Sequence, residues 1–163
     1  MTDNYIQLKE NDILRLKIKD ADGNDTGEFL EFDLEDIELP LKYQELVEKD
    51  KKNKERIMNE MIIIDKRQDV KGKKLLSKNA EDKFKALNDF FNKEVEIYDM
   101  FLGENGVKKL LNGQKLGWST LEKIDELIEE QIKPYLDMDM KNITDKIKKR
   151  YSKSVAKSKE VLK

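Results

Sequence analysis

At 163 residues, 42% of them charged and 37% apolar, the chain is sized for one domain with a modest core and a heavily solvated surface. It contains no Cys and no His, which excludes thiol nucleophiles, disulfides, the usual Cys/His zinc sites and an imidazole base. The net charge of −2 excludes a strongly basic nucleic-acid binder, no apolar run approaches the roughly 20 residues of a membrane helix, and none resembles a signal peptide, so a cytoplasmic protein is expected.

Leu14, Leu16 and Ile18 alternate with basic residues, and Leu30, Phe32 and Leu34 alternate with Glu31 and Asp33. Period-two alternation puts each apolar trio on one strand face, and the Asp/Gly/Asn-rich stretch between them reads as a turn. A β-hairpin is therefore expected over residues 1–39, with Ile6 and Leu8 as a candidate third strand. The turn also carries an EF-hand-like spacing of oxygen ligands: Asp20, Asp22, Asn24, Thr26, Glu28 and Glu31. Its sixth position is Asp25 rather than Gly, and its flanks read as strands. The metal reading, resting on Asp20, Asp22, Asn24 and Glu31, is thus the weaker one, and an ordinary acidic turn the stronger.

From Pro40 the pattern predicts a helix to about Asp65, with a weak polar centre over 48–55, then a basic connector around Gly72. The next helix is expected to be capped by Asn79. Its stripe runs Phe84, Leu87, Phe91, Val95, Tyr98, Leu102 and is widened by Phe90, Ile97 and Phe101. Glu94, Glu96 and Asp99 on the same helix read as a solvated face. Gly103 and Gly113 bracket a short helix around Val107 to Leu111. Ser119-Thr120-Leu121-Glu122 matches a capping box, with Trp118 as a hydrophobic staple before it. Pro134 is expected to kink or end the helix that follows.

The fold class predicted is mainly α, an N-terminal hairpin packed on about four helices. The division expected is a single domain over 1–140 and a basic helix or tail over 141–163. Residues 1–40 carry 4 basic and 12 acidic side chains, whereas residues 141–163 carry 9 and 2. Such opposed ends can attract one another within or between protomers. No motif calls for a catalytic group or a cofactor. The aromatic stripe is wider than a small core needs, which makes self-association plausible and marks Phe90, Phe101, Trp118, Met138 and Met140 as candidate partner-binding residues.

The stretch from Tyr98 to Gly113, YDMFLGENGVKKLLNG, followed by the Leu/Ile-rich helix from Leu121 to Ile132, resembles an element of small proteins of tailed phages and prophages of Gram-positive bacteria. An acidic N-terminal β element precedes the helices there too. The family is the tail assembly chaperones of long-tailed phages. The resemblance implies a non-enzymatic protein of the bacterial host cytoplasm that binds the tape measure protein and tail tube subunits during tail morphogenesis. It spans about 12–135; the basic connector and Lys-rich tail depart from it. The alternatives are a structural tail or connector protein retained in the virion, and a small regulator binding nucleic acid through the basic tail.

Overall fold

The alternating segments form the expected hairpin. In the computed structural model, which describes residues 2–137 and the chain from 140 to 161, β1 (Ile13–Lys19) pairs antiparallel with β2 (Asp25–Asp33). Leu14 stands opposite Phe32 and Leu16 opposite Leu30, so the apolar residues share one face. On the other face Arg15 ion-pairs with Glu31, its guanidinium 4.8 Å from the Phe29 ring centroid. Ile6 and Leu8 form no strand; they lie in an exposed arm, because no apolar surface is offered to them there.

The chain divides into two compact units, 1–126 and 127–163. In the first unit, α1 (Glu38–Asp65) and α2 (Lys78–Leu102) run antiparallel. Tyr43 meets Phe101 at one end, with ring centroids 5.8 Å apart. Asn53 meets Phe90 and Glu94 in the middle, and Asp65 pairs with Lys83 at the other end. The hairpin closes on this pair through Phe32, whose ring centroid is 5.6 Å from that of Phe101. Leu30, Phe32, Leu46, Ile57, Phe90, Ile97, Phe101, Leu102 and Val107 are buried and form the core. Within this unit the chain is thus mainly helical, with a two-stranded hairpin on its helices.

Helix ends depart from expectation. Ser77, not Asn79, caps α2, accepting from the Ala80 N–H at 3.2 Å. Asn79 is the second residue of the helix and donates its amide to the Ile64 and Arg67 carbonyls, 3.1 Å each, closing the end of α1. Ser77 and Asn79 both suit the end of this helix by type, and the side chain with two N–H donors went to the orphan carbonyls of α1. The Gly103 φ is +100, outside the left-handed helical region but open only to glycine at little cost. Asp99 accepts from the Val107 N–H at 2.9 Å and so starts α3 (Gly106–Leu111). Asp99 is therefore a cap, not part of a solvated face. Next, α4 (Trp118–Leu127) begins one residue early, at the tryptophan. Thr120 rather than Ser119 makes the cap, accepting from the Gly117 N–H at 2.8 Å and donating to the Gly117 carbonyl.

In the second unit a π-helical turn (Ile128–Ile132) leads into α5 (Lys133–Leu136). Pro134 has no N–H, and the Lys133 N–H reaches back five residues to the Ile128 carbonyl. The expected disturbance at Pro134 is thus absorbed by a wide turn. Beyond it, α6 (Met140–Val161) is a helix of 22 residues.

Candidate functional site

The polar centre of α1 is where the sequence reading was furthest from the structure. Asp50, Asn53 and Lys54 face α2 at the position of Glu94, a side chain with no accessible surface. Its place beside Lys93, with Glu96 and Asp99 further along the same helix, made Glu94 look like one residue of a solvated row. Its burial follows from phase: Ala86, Phe90, Glu94, Ile97 and Phe101 share the buried side of α2 at three- and four-residue steps. The Asn53 amide donates to Glu94 Oε1 at 2.8 Å and to the Phe90 carbonyl at 3.2 Å. Arg56 donates to Asn53 Oδ1 at 2.9 Å, fixing the amide's orientation. Lys54 pairs with Asp50 at 2.8 Å.

Two buried carboxyl oxygens, Asp50 Oδ1 and Glu94 Oε2, lack a partner among heavy-atom donors. A proton between them supplies one. Burial and the hydrogen-bonding carboxyl of Asp50 push Glu94 up to about 8, against the opposing pull of Asn53 and Lys54. Near neutral pH the raised value favours the acid form of Glu94, which can donate to Asp50. Burial works against the Lys54 ammonium, yet the hydrogen bond and charge of Asp50, with Asp125 and Glu94, leave its pKa raised. Tyr98 extends the cluster toward α4 by donating to Asp125. Burial, that hydrogen bond and the neighbouring carboxylates hold its phenol far above its usual range. This network ties α1, α2 and α4 to one another.

The surface beside it is apolar. Phe84, Leu87, Phe91 and Val95 line one flank of α2, with Phe84 exposed and the other three half-buried. Trp118 of α4 lies over this flank, its ring centroid 5.3 Å from that of Phe90 and 5.0 Å from that of Phe91. At 52% exposure, the indole is both a packing element and a surface. The candidate partner-binding residues separate accordingly. Phe90 and Phe101 are 0% and 4% exposed and belong to the core, because the residues that widen the stripe point at α1 and the hairpin. Trp118 remains available. Met138 and the side chain of Met140 lie outside the described residues.

The acidic turn uses its oxygens internally. Asp20 Oδ1 accepts from the Asp22 and Asn24 N–H groups at 2.9 and 2.8 Å, and Glu31 is held by Arg15. Among the described residues no three metal-capable side chains converge. None of the described helices is long and apolar enough to cross a membrane. No protein-family model, curated protein or solved structure matches the chain.

Proposed function

We propose that this chain is a non-enzymatic tail assembly chaperone of a long-tailed phage or prophage, holding a helical client in the host cytoplasm. The observation that carries the reading is the apolar flank of Phe84, Leu87, Phe91 and Trp118, which runs from α2 to α4 on a chain that is 42% charged. A holding chaperone needs such a patch ringed by charge and no catalytic group. Supporting it is the punctuation of the Tyr98–Gly113 stretch, which follows the helix–Gly–helix–Gly–helix order on which the resemblance rests. The rigid acid cluster beneath the flank keeps α2 and α4 in register, so the patch is presented by fixed helices rather than loops.

Co-expression with the tape measure protein of the same genome tests the proposal. The expected result is a stable complex and more soluble client. Trp118→Ala and Phe84→Ser are each expected to weaken capture by roughly tenfold, since a large apolar contact contributes about 1.5–3 kcal/mol. A client that stays insoluble and unbound beside folded protein would refute it.

A further inference from the structure

The charge and exposure of α6 identify an interaction that the client reading does not require. Residues 142–161 hold seven basic and two acidic side chains. Lys146/Arg150, Lys149/Lys153 and Lys153/Lys157 are like-charged pairs one turn apart, an arrangement that destabilises an isolated helix. Ile143, Ile147, Tyr151 and Val155 form a stripe at four-residue steps, with Ile147 64% and Tyr151 70% exposed and the other two only half-buried. A helix with this length and self-repulsion gains stability from a cover that is both apolar and acidic.

The same chain carries a surface of that composition. In the arm before β1, Tyr5, Ile6 and Leu8 are 89%, 94% and 86% exposed. They lie among exposed acidic residues, Asp3, Glu10 and Asp12, followed by Asp22, Asp25 and Glu28 on the hairpin. The excess of eight negative charges over residues 1–40 nearly matches the excess of seven positive charges over 141–163. A second copy's α6 would set positive charge against positive charge, whereas the acidic arm and hairpin set opposite charge and exposed apolar side chains against it. Both surfaces are exposed in a single copy.

We infer that the α6 stripe of one copy docks on the N-terminal arm and acidic hairpin of a second copy. The contact is heterologous, head to tail, so each added copy exposes a fresh surface of each kind and growth continues past the dimer. Salt opposes it by screening the charges.

Light scattering and sedimentation of the full chain test this contact. At about 0.1 M salt the mass is expected to rise with concentration beyond that of a dimer. It is expected to fall back toward the monomer near 1 M, where the screening length drops from roughly 10 to roughly 3 Å. Reversing the helix (Lys148→Glu, Lys149→Glu, Arg150→Glu) or the arm and hairpin (Asp3→Lys, Glu10→Lys, Asp22→Lys) is expected to leave each variant monomeric, with an unchanged circular dichroism spectrum. Mixing the two variants is expected to restore association, because each then offers what the other lacks. Ile147→Ser with Tyr151→Ser is expected to weaken association by roughly tenfold or more. A wild-type monomer at low salt overturns the inference. So does association indifferent to either reversal, or a mixture that stays monomeric. A monomer whose α6 instead binds DNA or anionic vesicles assigns the helix to polyanions and overturns it equally. The contact is independent of client binding: a chain that self-associates but holds no client leaves it standing.

Discussion

Glu94 is held in its acid form chiefly by its burial, with the hydrogen-bonding Asp50 carboxyl adding to the effect. Its ordinary value is 4.5 and its folded value about 8, so across that interval the native state binds a proton that the unfolded chain has released. The contribution of this group to stability is therefore full at low pH. It declines as pH rises from about 4.5 and levels off above about 8. Glu94→Gln keeps a donor for Asp50 and an acceptor for Asn53 without a titratable proton. Urea midpoints of this variant are expected to lose the decline between pH 5 and 9 and to exceed those of the parent at pH 9. A variant that retains the parent's slope would show that the proton lies elsewhere. Glu94→Ala is expected to cost about 2–4 kcal/mol near pH 5, since it opens a void and removes one acceptor of the Asn53 amide, and progressively less as pH rises toward 9. The sequence shows Glu94 only as a carboxylate in a charged row. The phase that buries it is legible once Ala86, Phe90, Ile97 and Phe101 are taken as the core face, but the partner that permits the burial sits 41 residues earlier in the chain.

At the scale of elements, local patterns foretold what local physics decides. The hairpin faces follow from period-two alternation, and the extents of α1 and α2 follow from their apolar spacing and flanking breakers. The capping residues were misread because each cap is a competition. Asn79 suits an N-cap by type, yet the open carbonyls of α1, reached only after the chain turns back, take its amide. Asn79→Ala is accordingly expected to cost about 1–2 kcal/mol by thermal or urea melting and to raise amide exchange at the end of α1, whereas Ser77→Ala is expected to cost about 1 kcal/mol through α2 alone. Equal exchange at the α1 terminus in both variants would contradict that assignment. Glycines sort in the same way. A Cβ at Gly106 would lie 2.6 Å from the Leu102 Cβ, an atom fixed to the end of α2, while one at Gly117 would meet nothing within 4 Å. Gly106→Ala is expected to destabilise by about 1–3 kcal/mol and Gly117→Ala by well under half of that. Chemical denaturation of the pair decides it, and equal losses would contradict the packing account.

For the whole molecule, charge is arranged along the chain more tellingly than its net value indicates. Sequence alone displays that polarity, along with the lack of Cys and His. It does not display which apolar residues remain outside. The stripe on α2 looked excessive for one small core, and Phe90 and Phe101 looked like its surplus. Folding places those two inside and leaves Phe84 and half of Trp118 out. The reason is that the hairpin and α1 approach α2 from the side of its widening residues, a matter of tertiary direction that periodicity does not encode. Any client therefore meets the flank, not the centre, of the stripe, and charge-reversing substitutions on α6 are expected to leave one-to-one client capture intact while lowering the mass of the assembly.

A chain with a single tryptophan carries its own optical gauge. The indole of Trp118 rests on Phe90, whose carbonyl is bound by the Asn53 amide that also holds Glu94. Its emission therefore answers to two events of opposite sense. A ligand laid over the flank shields the ring and shifts the emission to the blue, while loosening of the α2–α4 seam wets it and shifts the emission to the red. One cuvette, read first against client and then against alkali, separates occupancy of the surface from the state of the acid beneath it.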